Sequence, residues 1–165
     1  KIQSGDFKSK EIIFDGADMM RKILRIYDQK AVEKGIRLEV DWEKCSVRYP
    51  ILLGNPVYFG RILASIMDNA IKFSENDSSI TVEVTTKNDK IFVSVKDHGI
   101  GISRKEINKI WERFYKSDLS RGKDKKGTGL GLSIVKEIIQ AHDEHINVIS
   151  TEGVGTEFIF SLSKA

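Results

Sequence analysis

The stretch Asp97-His-Gly-Ile-Gly101 places a carboxylate just ahead of two glycines. It follows a run in which the apolar residues Ile91, Val93 and Val95 alternate with polar ones, a pattern that predicts a half-buried strand. Asp97 is therefore expected where that strand ends. A carboxylate there, followed by glycines that allow close backbone approach, suits a flat molecule with exocyclic N–H donors, such as adenine. A single motif of this kind is also typical of an ordinary turn, so other motifs must decide.

A second set of polar residues recurs along the segment Val57 to Phe73, which has the periodicity of an amphipathic helix. Its expected core face comprises Phe59, Ile62, Leu63, Ile66, Met67 and Ala70. A polar stripe runs along another side and comprises Arg61, Ser65, Asn69 and Lys72. Asn69 offers a carbonyl oxygen suited to Mg²⁺, and Lys72, one turn further, is placed for a phosphate oxygen. On an isolated helix such a stripe would simply be a solvated face.

The run Gly127-Thr-Gly-Leu-Gly-Leu132 ends a polar segment and opens a predicted helix. Glycines at a helix N-terminus leave backbone N–H groups and the positive end of the helix dipole facing a phosphate. The run is not a dinucleotide-binding fingerprint, because a polar loop precedes it instead of a strand, and it lacks the Lys-Ser/Thr pair of a P-loop. The polar segment from Lys116 to Lys126 has no apolar periodicity and is predicted to be a lid.

The other segments predict an α/β arrangement that must position these motifs. One helix is expected from Asp15 until Gly35. A second helix is expected to begin after Asn55 and Pro56, and a third is expected to start at Ser103. Strands are predicted at Ile36 to Trp42, Val47 to Leu53, Ile80 to Val84, Ile91 to Val95, Ile146 to Ile149 and Glu157 to Leu162.

Composition restricts the possible classes of protein. The chain has 165 residues, of which 40% are hydrophobic and 31% charged, enough for one buried core. A formal charge of +3 does not call for a nucleic-acid partner, and the basic cluster Arg121 to Lys126 is expected to be a solvated loop. Cys45 has no second cysteine to pair with, which favours a reducing compartment. No run is apolar over the length of a membrane span.

Four of these motifs, in this order and spacing, resemble the N, G1, F and G2 boxes of the catalytic ATP-binding domain of sensor histidine kinases. They are Asn69-Ala-Ile-Lys-Phe73, Asp97-x-Gly99-x-Gly101, Trp111-Glu-Arg-Phe-Tyr-Lys116 and Gly127-Thr-Gly-Leu-Gly131. The resemblance implies the Bergerat fold, a two-layer α/β sandwich in which a mixed sheet of about five strands carries three main helices on one face. It also implies that residues 1–13 are a linker from a helical dimerisation and phosphoacceptor domain, and that residues 14–165 are the ATP-binding domain.

The resemblance further implies a role for each matching residue. Asp97 would accept the adenine amino group, Asn69 would coordinate Mg²⁺, and Lys72 and Lys116 would act catalytically at the phosphates. Phe114 would anchor the lid, and Thr156 would contact adenine through water. The implied nucleotide contacts are Asn69, Lys72, Phe73, Asp97, Gly99, Gly101, Ile102, Phe114, Tyr115, Lys116, Gly127, Thr128, Gly129, Leu130, Gly131, Leu132 and Thr156.

The same resemblance implies that the chain would be a fragment of a protein histidine kinase, with ATP as its nucleotide and Mg²⁺ as its metal. It would transfer the γ-phosphoryl group to a histidine in an upstream domain, for onward transfer to a response regulator receiver domain. The parent protein would be a homodimer with this domain in the cytoplasm, and many such parents are anchored in a membrane. Two alternatives remain, a related ATPase and a nucleotide-binding module without catalysis.

Two positions depart from the family's pattern. Ser65 stands where these kinases usually have a second asparagine, one turn before Asn69, and where the related ATPases carry a glutamate that activates water. A serine hydroxyl cannot act as that base, so hydrolysis is expected to be slow. His142-Asp-Glu144 replaces the usual His-Gly-Gly, a change expected to affect only a helix ending.

Overall fold

A computed structural model describes residues 12–41, 51–112 and 131–163, with the backbone alone for residues 51–53. This part of the chain contains three α-helices: α1 (Gly16–Glu33), α2 (Pro56–Phe73) and α3 (Gly131–Ala141). It also contains seven strands: β1 (Ile12–Asp15), β2 (Arg37–Asp41), β3 (Ile51–Gly54), β4 (Ser79–Lys87), β5 (Lys90–Lys96), β6 (Ile146–Thr151) and β7 (Gly155–Ser163).

Five strands form a mixed sheet in the order β2-β4-β5-β7-β6. The pair β2 and β4 is parallel and the other neighbouring pairs are antiparallel. Alternate residues of β4 and β5 are buried, as the sequence pattern requires, and they join the buried faces of the three helices in one hydrophobic core. The predicted α/β architecture of a five-stranded mixed sheet with three helices is therefore confirmed.

Helix α2 follows its sequence signals closely. The Asn55 side chain accepts hydrogen bonds from the backbone N–H groups of Val57 and Tyr58, and Pro56 occupies the first turn. All six residues of the predicted core face are buried. The cap and the apolar spacing thus fix both the start of α2 and its rotation about its axis, which determines where the polar stripe lies.

Two elements differ from the predictions. The prediction of a helix from Ser103 is wrong over the described residues. Residues 104–111 form successive turns, and the Ser103 carbonyl accepts hydrogen bonds from the N–H groups of Glu106 and Ile107. Such turns can bury the same apolar side chains, since Ile110 is buried and Trp111 packs edge-on against Phe158 at 6.0 Å between ring centroids. The short antiparallel pair of β1 and β3 lies outside the main sheet, and its strand β1 was not predicted.

The other predicted strands and the hairpin between β4 and β5 are confirmed where the structure describes them. Trp42 and residues 47–50 of two predicted strands lie outside the described residues. Among the described helices, none has the length and apolar character needed to cross a membrane.

Candidate functional site

Asp97 lies directly after β5, as predicted, and is only 6% exposed. Its Oδ1 atom accepts hydrogen bonds from the backbone N–H of Gly99 at 2.9 Å and of Thr156 at 3.2 Å. These two bonds to Oδ1 fix the carboxylate. None of the described residues donates a hydrogen bond to its other oxygen, Oδ2. Burial raises the pKa of the Asp97 carboxyl, against the opposing effects of the two amide bonds and of His98 nearby.

The two glycines after Asp97 are required by contacts within the chain itself. A Cβ at Gly99 would lie 2.2 Å from the Phe73 carbonyl oxygen, and one at Gly101 would lie 2.1 Å from that of Thr151. Gly101 also has φ +70°, a conformation that side chains rarely adopt. The sequence predicts these glycines beside a ligand, whereas the described backbone requires them where it packs against the end of α2 and the end of β6.

Ser150 is a supporting residue that the sequence reasoning missed. Its Oγ accepts from the backbone N–H of Ile102 at 2.7 Å and lies 3.0 Å from the Gly155 carbonyl oxygen and 2.8 Å from Thr156 Oγ1. It therefore ties the loop after Asp97 to the beginning of β7. A lone serine in an alternating strand carries no signal in sequence, because only the folded chain brings Ile102 to it.

The polar stripe of α2 runs towards this loop. Ser65, Asn69 and Lys72 are half-buried, whereas Arg61 is exposed. A Cβ at Gly131 would lie 3.9 Å from Ser65 Oγ, so α3 begins beside the stripe, one turn before Asn69. One side of α2 thus carries the amide of Asn69 and the ammonium of Lys72, and the N-terminus of α3 lies beside it. This combination of donors and a carbonyl ligand suits a phosphate and its metal ion.

The predicted residues therefore fall into two neighbouring groups joined at the end of α2. Phe73, Asp97, Gly99, Gly101, Ile102 and Thr156 lie around the end of β5, whereas Asn69, Lys72, Gly131 and Leu132 lie along α2 and the start of α3. Phe114, Tyr115, Lys116, Gly127, Thr128, Gly129 and Leu130 lie outside the described residues, as does the predicted lid.

No group of three or more His, Cys, Asp or Glu side chains in residues 12–41, 51–112 and 131–163 could hold a metal ion. A Mg²⁺ ion that arrives with phosphate ligands needs fewer protein ligands, and the Asn69 amide oxygen fits that requirement. His98 and His145 are exposed, and His142 is buried with Nδ1 2.9 Å from the Ile138 carbonyl oxygen.

Known proteins share this sequence pattern. A family model described as histidine kinase-, DNA gyrase B-, and HSP90-like ATPase matches residues 54–165. The sensor histidine kinase WalK of Bacillus subtilis is 32% identical over 153 residues, which are 92% of this chain and 23% of that protein. The sensor histidine kinase YkoH of the same organism is 34% identical over 159 residues, which are 96% of this chain and 32% of that protein. The chain thus spans less than a third of the length of these relatives.

Solved structures share the fold. Full-length ShkA in complex with AMPPNP has a TM-score of 0.80 at 24% identity, covering 94% of this chain and 32% of that one. The nucleotide-free catalytic domain of the histidine kinase ThkA also has a TM-score of 0.80, at 22% identity, covering 94% of this chain and 96% of that one. At these identities the likeness concerns the arrangement of helices and strands.

Proposed function

We propose that this chain, which belongs to the histidine kinase-, DNA gyrase B-, and HSP90-like ATPase family, transfers the γ-phosphoryl group of ATP to a histidine on a separate domain. The chain is an ATP-binding catalytic domain of the sensor histidine kinase kind. We also propose the histidine acceptor, the metal ion and the roles of the individual residues.

The observation that carries this proposal is the buried carboxylate of Asp97. Two backbone N–H groups hold Oδ1, so the side chain cannot turn away, and no described residue donates to Oδ2. An exocyclic amino group can fill that position with a hydrogen bond to a charged acceptor. Asp97 would thereby bind adenine, with Thr156 beside it and Phe73, Gly99, Gly101 and Ile102 shaping the pocket.

The phosphates would lie along α2, towards the start of α3. Lys72 would neutralise phosphate charge, and the N–H groups at Gly131 and Leu132 would donate to phosphate oxygens. Asn69 would give its amide oxygen to Mg²⁺, which when bound neutralises charge that develops on the phosphates. Lys116 and the glycines from Gly127 to Gly129 would complete this half of the site, with Phe114, Tyr115, Thr128 and Leu130 beside them.

These residues suit phosphoryl transfer better than hydrolysis. Transfer through a loose transition state asks mainly for alignment and charge neutralisation, which a lysine and helix-end N–H groups provide. Hydrolysis needs a group that activates water, and the side chain beside Gly131 is the hydroxyl of Ser65. We therefore favour the kinase over the ATPase.

The relatives support the proposal that the partners lie outside the matched segment. Sensor histidine kinases such as WalK extend well beyond the matched segment, so the acceptor histidine is proposed to lie in a dimerisation domain connected through residues 1–13. A response regulator receiver domain would then take the phosphoryl group. The parent protein is proposed to be a homodimer that holds residues 14–165 in the cytoplasm.

Titration with ATP and with AMPPNP, each with and without Mg²⁺, tests the nucleotide part of this proposal. Calorimetry should give a defined affinity that Mg²⁺ strengthens, and incubation with ATP should release phosphate slowly. Rapid hydrolysis would favour the ATPase, and a chain that binds no nucleotide would contradict the proposal.

A further inference from the structure

The carboxyl end of α2 has an unusual set of hydrogen-bond donors. The last four carbonyl groups of any α-helix have no partner within the helix. In α2 the Ala70 carbonyl accepts from the backbone N–H and the hydroxyl of Ser74, at 3.2 and 2.6 Å. The next two, of Ile71 and Lys72, accept from Lys34 Nζ at 2.6 and 3.0 Å. Lys34 thus donates hydrogen bonds to two of the last four carbonyl groups of α2.

Lys34 reaches α2 from elsewhere in the chain. It follows α1 directly, and 37 and 38 residues separate it from its two acceptors. The ammonium is partly buried there and faces the negative end of the α2 dipole, where a positive charge is stabilised. Lys34, Lys72, Ser74, Glu75 and Asn76 together line a depression at this end of the helix.

The fourth carbonyl links this arrangement to the nucleotide site. The Phe73 carbonyl packs so closely on Gly99 that a Cβ there would lie 2.2 Å from it. Gly99 in turn donates its N–H to Asp97 Oδ1 at 2.9 Å. A shift in the last turn of α2 would therefore move Lys72 and the contact that supports Asp97 at the same time.

We propose that Lys34 is a positioning residue for the nucleotide site. Its ammonium donates hydrogen bonds to the Ile71 and Lys72 carbonyl groups. These bonds position both the Lys72 side chain and the Phe73 carbonyl group, against which Gly99 packs. The inference rests on the proposed function, because it assigns Lys34 a role in nucleotide affinity without direct contact with the nucleotide.

The fold has other attachments at the same place, so removal of the ammonium should leave it intact. The Gly35 carbonyl accepts from the N–H of Asp77 at 2.9 Å, and the N–H of Arg37 donates to the Ser78 carbonyl at 3.0 Å. Strand β2 then pairs along β4. These backbone bonds keep the turn after α1 beside the end of α2 when the Lys34 side chain is shortened or neutralised.

The test compares Lys34→Met with Lys34→Arg and with the charge-matched control Lys22→Met. Lys22 lies on the exposed side of α1, paired with Asp18 at 3.0 Å. Calorimetry with AMPPNP and Mg²⁺, well below the unfolding temperature, should give an affinity about tenfold weaker for Lys34→Met, which equals about 1.4 kcal/mol. Lys34→Arg, which keeps the charge and donors, should recover most of it, and Lys22→Met should bind like the wild type.

Further measurements separate positioning from stability alone. A lower unfolding temperature for Lys34→Met with unchanged affinity of the folded protein would overturn the inference. In a Lys72→Met background, Lys34→Met should weaken binding by less than in the wild type, since part of its effect passes through Lys72. An equal loss in both backgrounds would contradict that route.

If Lys34→Met failed to fold, Lys34→Gln would replace it, and a folded Lys34→Gln with wild-type affinity would overturn the inference. A wild-type chain that did not bind AMPPNP would overturn the proposed function and this role together. A wild type that binds, with a Lys34→Met variant equal to it, would overturn the role of Lys34 alone.

Discussion

Replacing Asp97 with asparagine changes the site by one atom and one charge. The asparagine oxygen can still accept hydrogen bonds from the N–H groups of Gly99 and Thr156, which donate to Oδ1 in the wild type. The amide NH₂ group then takes the position of Oδ2 and presents donors to the donor group of adenine. The hydrogen bond lost is one to a charged acceptor, worth about 1.5–3 kcal/mol, so affinity should fall roughly ten- to a hundredfold.

The free energy of unfolding, unlike the affinity, should rise or stay unchanged when Asp97 is replaced by asparagine. Because burial raises the pKa of Asp97, the folded chain favours the protonated carboxyl relative to the unfolded chain. The contribution of Asp97 to the free energy of unfolding is therefore fully present at low pH and falls as pH rises through the raised pKa. Asparagine lacks this dependence, so Asp97→Asn should be at least as stable as the wild type at neutral pH.

Calorimetric titration with AMPPNP and Mg²⁺ measures the affinity, with urea denaturation as the check on folding. Asp89→Asn, at the exposed turn between β4 and β5, is the control with the same change of charge. In the wild type, affinity should also decline as pH falls through the raised pKa of Asp97, because protonation removes an acceptor. Unchanged AMPPNP affinity in a folded Asp97→Asn chain would refute the assignment of Asp97 to the adenine site.

Three further predictions concern other parts of the structure. Gly99→Ala should lower the free energy of unfolding in urea by about 1–3 kcal/mol and weaken nucleotide binding, because its Cβ overlaps the Phe73 carbonyl; wild-type stability would contradict that contact. Glu144→Gln should lower the same quantity by about 1–3 kcal/mol, since the buried carboxylate accepts from Lys90 Nζ at 2.6 Å, and an unchanged urea midpoint would count against it. Asn69→Asp should retain nucleotide binding by calorimetry yet impair phosphoryl transfer, and normal transfer would exclude a metal-binding role.

The sequence predicted those elements whose signals are local. Helix α2 could be predicted in full, because Asn55, Pro56 and the apolar spacing all lie within it or next to it. The position of Asp97 followed from the alternation of β5 immediately before it. The segment after Ser103 was predicted wrongly because a series of turns buries Ile110 as a helix would, and apolar spacing does not separate the two.

The remaining features depend on residues far apart in the chain. Ser150 contacts Ile102 across 48 residues, and Lys34 contacts Ile71 across 37. Neither has a neighbour in sequence that would indicate its role. The motif indicates a glycine at position 99, yet the physical reason for it is the Phe73 carbonyl, which only the packed end of α2 brings into contact. Motifs thus indicate the candidate site, whereas the contacts that support it depend on the fold.

The central claim is that ATP held by this chain phosphorylates a histidine on another domain. The most direct measurement is the transfer of radiolabelled phosphate from ATP, with this chain alone and with the proposed upstream acceptor domain, a histidine-containing helical hairpin, added or linked. The chain alone should remain almost unlabelled, and the hairpin should gain acid-labile phosphate on its histidine, faster when linked because linkage raises the effective concentration. Efficient labelling of the chain alone, mapped to His98, His142 or His145, would contradict the claim, as would a hairpin that stays unlabelled while ATP is bound.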